Sequence, residues 1–189
     1  VQVHFQRIAA LLAEREGCGR RGRSQDHVAL RKRQLKIAGD QGPDLLRVGG
    51  DEGLAWWEGG TLRRQGPGGI AYRDPIRFMY ADPAQPETLW IAHPDAGVVE
   101  VRPGAVRAHD RRHGLDVGNA KVFLRDRRGR LIVGGTRGAF VLGKGGWQPL
   151  VPAGLGVAAI TAIAEAAGGV LWLGSDTAGL VRIEGNEVR

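Results

Sequence analysis

Along most of this chain, apolar residues come in short runs, each followed by a small residue, a polar turn and a glycine. Leu46-Arg47-Val48-Gly49-Gly50 leads to Asp51-Glu52-Gly53, and Leu89-Trp90-Ile91-Ala92-His93 leads to Pro94-Asp95-Ala96-Gly97. Leu131-Ile132-Val133-Gly134-Gly135 leads to Thr136-Arg137-Gly138, and Leu171-Trp172-Leu173-Gly174-Ser175 to Asp176-Thr177-Ala178-Gly179. The closing glycines stand at 53, 97, 138 and 179, so the spacings are 44, 41 and 41 residues. A fixed period of this length with several short strands per unit is the sequence signature of a β-propeller. The expected fold class is all-β, a partial β-propeller of three to four four-stranded blades.

The third unit shows how four strands arise. Val122 to Arg125 is a candidate first strand, Asp126-Arg127-Arg128-Gly129 a turn and Arg130 to Gly134 a second strand. Ala139 to Leu142 makes a third, and after the turn Gly143 to Gly146 the fourth runs from Trp147 to Val151. Aspartate at the first turn position can accept from backbone N–H groups two residues on, and glycine at the fourth tolerates the positive φ that closes a hairpin. Ala81 to Thr88 is the same connection with a longer loop, and its prolines fall between strands. The blades are expected near 35–75, 76–118, 119–158 and 159–189, the last incomplete, behind a basic, poorly ordered N-terminal segment 1–34. Within the repeated phrase Arg47, Trp90, Ile132 and Trp172 are equivalent, and Gly49, Ala92, Gly134 and Gly174 follow two positions later. A large ring meeting a small residue across adjacent blades is the expected packing.

Composition agrees with this picture. Of 189 residues 42% are hydrophobic, enough for a core, and 31 are glycine, which suits many tight turns. The formal charge of +7 is uneven: residues 1–40 carry nine Lys/Arg against four Asp/Glu, leaving 18 against 16 in the repeats. The repeats are thus almost neutral, and no nucleic acid is expected as a partner. A single cysteine, Cys18, excludes an intramolecular disulfide and a cysteine-based zinc cage. No run approaches the length of a membrane span, and Ile8 to Ala13 is too short for a signal-peptide core, so any membrane link is expected only through segments outside this chain.

The segment Tyr80-Ala81-Asp82-Pro83-Ala84-Gln85-Pro86-Glu87-Thr88-Leu89-Trp90-Ile91, continued by Asp95-Ala96-Gly97-Val98-Val99-Glu100-Val101, resembles the two-component regulator propeller repeat. Leu171 to Ser175 with Gly179 to Ile183 resembles it most, Asp126 to Phe140 does so with Ile132 in place of tryptophan, and Asp40 to Trp57 is the most degenerate copy. The resemblance covers about residues 35–189. It implies the sensor propeller of bacterial membrane signalling proteins, extracytoplasmic (periplasmic) and coupled to a histidine kinase, a diguanylate cyclase or a similar output. Relatives of this kind carry seven or more blades, so this chain is expected to be a fragment or to close its ring with the remaining blades or with a second copy.

Several chemical signals are weaker than they look. Gly138 to Gly145 imitates a phosphate-binding loop but lacks the Ser or Thr after Lys144 and a following helix. His109 and His113 are four residues apart, yet they fall in the connection Ala108 to Asn119 and are expected in solvent. Arg125, Arg127, Arg128 and Arg130 around one hairpin read as a solvated corner. No metal, cofactor or catalytic group is expected. The function expected is non-catalytic binding of a small-molecule or carbohydrate-type ligand, or of a partner, on a rim of the propeller. His93, Asp95, Arg137 and Asp176, which follow the second strands of successive blades, are the candidate contact residues. His93 stands where other units have Gly50, Gly135 and Ser175. Two alternatives stay open: a propeller enzyme similar to streptogramin lyases, in which His93 would be essential, and a protein-interaction scaffold.

Overall fold

A computed structural model describes residues 36–40, 45–58, 61–66, 71–93 and 97–189. The N-terminal segment 1–34 and the candidate Asp95 lie outside the described residues. Four antiparallel sheets of four strands each account for almost all the regular structure described. The first blade holds β1 (Lys36–Asp40), β2 (Leu45–Gly50), β3 (Gly53–Glu58) and β4 (Thr61–Arg63). The second holds β5 (Phe78–Ala81), β6 (Leu89–His93), β7 (Gly97–Arg102) and β8 (Ala105–His109). The third holds β9 (Ala120–Arg125), β10 (Leu131–Gly135), β11 (Gly138–Gly143) and β12 (Gly146–Pro149). The fourth holds β13 (Ile160–Glu165), β14 (Leu171–Ser175), β15 (Gly179–Glu184) and β16 (Glu187–Val188).

Every sheet is a meander in which a strand pairs only with its sequence neighbours. The first strands β1, β5, β9 and β13 adjoin one another from sheet to sheet. The sheets therefore stand face to face as consecutive blades of a partial β-propeller, the expected fold class. The fourth blade has its fourth strand, shortened to Glu187–Val188.

Successive side chains of a strand point to opposite faces, so a second strand with a blade on either side serves two interfaces at once. In β6, Leu89 and Ile91 join Leu54, Trp56, Ile76 and Met79 in the core between the first and second blades. Trp90 and Ala92, pointing the other way, join Phe123, Leu131, Val133 and Trp147 between the second and third. Ile132 belongs in turn to the core between the third and fourth, with Ile160, Leu171 and Leu173. Burial on both faces explains why these strands read as unbroken apolar runs. Each fully buried Leu or Ile contributes about 1.5–3 kcal/mol relative to exposure.

The expected meeting of a large ring with a small residue across adjacent blades does not occur at Trp90. The ring and the small residue two places later share one face of β6, so both look toward the third blade. Trp90 instead meets Trp147 of the next blade edge-on, with ring centroids 6.0 Å apart and planes at 87°. The small residue makes room for the next blade's aliphatic side chains: a Cβ on Gly134 would come within 2.6 Å of Ile160 Cγ2, and one on Gly49 within 2.7 Å of Met79 Sδ.

Candidate functional site

A four-stranded meander places its first and third turns at one end of the sheet. Its second turn and the connection to the next blade lie at the other end. The turns after β2, β6, β10 and β14 therefore gather on one rim, and backbone hydrogen bonds tie them to the connections between blades. Ile76 N donates to Gly50 O (3.0 Å), Thr136 N to Asn119 O (3.2 Å), Arg137 N to Val117 O (3.1 Å) and Asp176 N to Ala159 O (3.1 Å). The glycine that closes each turn has φ of 95°, 78°, 133° and 70° at Gly53, Gly97, Gly138 and Gly179. Side chains rarely adopt that region, which accounts for the recurrent glycine.

His93 ends β6 opposite Gly97, in the register that Gly50, Gly135 and Ser175 occupy in the other blades. At Gly135 there is no room for a side chain, since a Cβ would lie 2.4 Å from Asn119 O, and Ser175 spends its hydroxyl on Ala158 O at 2.6 Å. The His93 imidazole instead lines a cleft of about 490 Å³ between the second and third blades, together with Arg77, Phe78, Ala92, Asn119, Ala120 and Lys121. Its Nε2 is 4.0 Å from Asp74 Oδ2. Asp176 adjoins this cleft through Lys121, whose Nζ is 3.8 Å from Asp176 Oδ2.

Arg137 lines a neighbouring cleft of about 690 Å³ with Arg111, Arg112, Asp116 and Asn119 among its walls. Its guanidinium and that of Arg111 both bond to Asp116 Oδ1, the latter at 2.7 Å. Of the candidates, His93 thus lines the first cleft and Arg137 the second, while Asp176 lines neither and approaches the first only through Lys121. Arg77, Asn119, Lys121 and Asp116 were not singled out from sequence. All four sit between blades or at the start of a first strand. Lys121 did leave a signal, as a cation just before the apolar run Val122 to Leu124 of β9.

Two expectations are corrected. His109 is no solvated loop residue: it ends β8, is 5% exposed and lies 5.2 Å from the Trp90 ring. The Trp147 indole N–H donates to His109 Nδ1 at 3.1 Å, and His109 Nε2 faces Glu100 Oε2 at 3.4 Å. An indole N–H can only donate, so Nδ1 accepts and the ring proton sits on Nε2. Burial acts against the Glu100 carboxylate. Hydrogen bonds from His109 and Arg102 outweigh it and hold the pKa at about 2. Arg125 is likewise no solvated corner. Its Nε donates to Asp82 Oδ1 at 3.0 Å, its Nη2 bonds Asp82 Oδ2, and its Nη1 donates to Gly129 O at 2.8 Å. The meander brings the end of β9 against the aspartate turn of the preceding blade, a contact invisible in local sequence. Arg127 and Arg128 are exposed as expected.

Among the described residues no group of three or more His, Cys, Asp or Glu is placed to hold a metal ion, and no helix is long and apolar enough to cross a membrane. No protein-family model and no curated protein matches the chain. Solved structures do. One is the extracellular domain of a protein from B. thetaiotaomicron described as a one-component and also as a hybrid two-component system, with a TM-score of 0.66 and 15% identity over 88% of this chain and 23% of that one. Another is the extracellular domain of a protein from the same organism described as a hybrid two-component system, with a TM-score of 0.57 and 15% identity over 80% of this chain and 20% of that one. A third is PorZ, a bacterial surface component of the type-IX secretion system of Porphyromonas gingivalis, with a TM-score of 0.55 and 18% identity over 78% of this chain and 24% of that one. This chain spans about a fifth to a quarter of the length of these structures, and the likeness is one of fold.

Proposed function

We propose that this chain is part of an extracytoplasmic sensor propeller whose rim binds a small-molecule or carbohydrate-type ligand and whose signal is read by a separate output region. The observation that carries this reading is the cleft between the second and third blades. Its walls come from the start of β5, the end of β6 and the start of β9, so residues far apart in sequence converge on ladder-held backbone. A rigid repeat scaffold with differing residues at its turns suits recognition. The likeness to extracellular sensor domains supports the same role and place.

The test is a ligand screen on the whole 189-residue chain by thermal shift, followed by amide chemical-shift mapping. Compounds that raise the unfolding midpoint are expected to perturb residues around His93, Arg137 and Asp176. Binding mapped only to other surfaces would overturn the reading.

A second reading, a protein-interaction scaffold, is supported by Leu180, which is 68% exposed on the outer face of the fourth blade beside half-buried Trp172. It predicts concentration-dependent assembly through that face.

A further inference from the structure

We infer that the outer edge of the second and third blades carries an acid-operated latch: a second proton on His109 breaks its bond to Trp147 and frees β12 from β8. The device stands apart from the ligand-binding reading, since it uses none of His93, Arg137 and Asp176. It follows from what surrounds one buried imidazole. His109 ends β8 and is buried. Trp147 of β12 donates its indole N–H to Nδ1 at 3.1 Å, and Glu100 of β7 faces Nε2 at 3.4 Å. Nδ1 is thus the ring nitrogen that carries no proton, and a second proton must land there. Two N–H groups would then confront each other at that distance, and the hydrogen bond is lost.

The rest of the surroundings accommodates the charge. Burial works against the Glu100 carboxylate, but hydrogen bonds from His109 and Arg102 hold its pKa at about 2. It therefore faces the ring as an anion throughout the range of about pH 5 to 8 in which imidazoles change charge. Trp90 of β6 lies 5.2 Å from the ring, within reach of a cation–π attraction. From the connection after β8, His113 stands 6.0 Å away with its Nδ1 2.9 Å from Asp110 Oδ1, and Arg112 is 3.7 Å from the other oxygen of that carboxylate. The imidazolium is thus balanced on its Glu100 side, and the loss falls on Trp147.

The two strands joined by this bond are those least held by their sheets. β8 and β12 are each the outermost strand of a blade and pair on one side only. β12 has four residues, of which Pro149 has no N–H for the ladder. Trp147 is buried, so an indole N–H that loses its acceptor can regain one only by moving out to water. Edge strands with few ladder bonds open locally at the least cost.

The experiment titrates the 189-residue chain from about pH 8 to about pH 5 and follows the His109 ring and the Trp147 indole N–H by NMR. The indole signal is expected to shift with the same midpoint as His109 and to exchange with solvent about tenfold faster once the ring is charged. His109→Asn, whose amide oxygen stands in for Nδ1 and does not titrate, is expected to hold that signal constant over the range. His113→Gln is expected to leave the response in place, which assigns it to His109. Should His109→Asn fail to fold, the titrations of the unaltered chain and of His113→Gln decide. An indole signal unmoved while His109 titrates would overturn the latch. So would a His109 ring that stays neutral in the folded chain to the end of the titration, or a response that disappears with His113→Gln.

Discussion

At the scale of single residues, the fold depends on places where a side chain is impossible and places where a polar atom has one partner. Gly134 is the first kind. Since a Cβ there would stand 2.6 Å from Ile160 and 2.9 Å from Val122, Gly134→Val must push two buried blades apart. Overpacking of this kind costs about 1–3 kcal/mol, to be seen as a lowered denaturation midpoint at unchanged slope. Glu100 is the second kind. Its folded pKa of about 2 lies below the ordinary 4.5, so its ionised form is favoured by the fold. The associated stability is present above about pH 4.5 and is lost as pH falls toward 2. Glu100→Gln is expected to flatten this part of the stability curve, measured by denaturant titration at a series of pH values. Tyr72 shows the cost of burial without a partner: its hydroxyl finds none among the described residues, and burial followed by the charge of Asp74 raises its pKa to about 12.

Between elements, the aspartate turns act as clamps of unequal strength. Asp82 is 1% exposed and accepts from Ala84 N within its own turn, from Trp90 Nε1 at 3.4 Å and from Arg125 of the next blade. Its repeat counterpart Asp126 bonds inward to Arg130, on the same hairpin. There the link to the fourth blade runs from Arg127 N to Glu165 Oε2 at 2.8 Å. Removing Asp82 would leave the largely buried Arg125 cation without its carboxylate, and loss of one partner from such a pair costs about 3–5 kcal/mol. Asp82→Ala is therefore expected to destabilise the protein considerably more than Asp126→Ala, whose partner Arg130 is better solvated. Hydrogen exchange should accelerate first at the interface of the second and third blades in the former variant. An equal effect of both substitutions would contradict the clamp.

For the whole molecule, the three internal interfaces show what a blade face does when covered, and the outer face of the fourth shows it uncovered. Gly174 and Leu180 pair across β14 and β15 there, as Ala92 and Val98 do across β6 and β7. Val98 is fully buried, whereas Leu180 is 68% exposed. Light scattering over a concentration series is expected to show association of this chain, and Leu180→Glu should shift it toward monomer by placing a charge where an apolar contact would form.

The all-β repeat of four-stranded blades and the places of its turns were legible in the amino-acid order, because strand period, turn chemistry and the required glycines are local and repeat in register. The same locality placed His93 at a departure from the pattern and read Ala139 to Leu142 as strand, within the observed Gly138–Gly143. What local order could not contain was which element meets which across the blades. That juxtaposition took His109 and Arg125 out of solvent and brought Arg77 and Lys121 beside His93. It also separated Arg137 into a different cleft. Blade packing joins residues some forty positions apart, so the partners of a charge or a ring are decided only when the sheets stack.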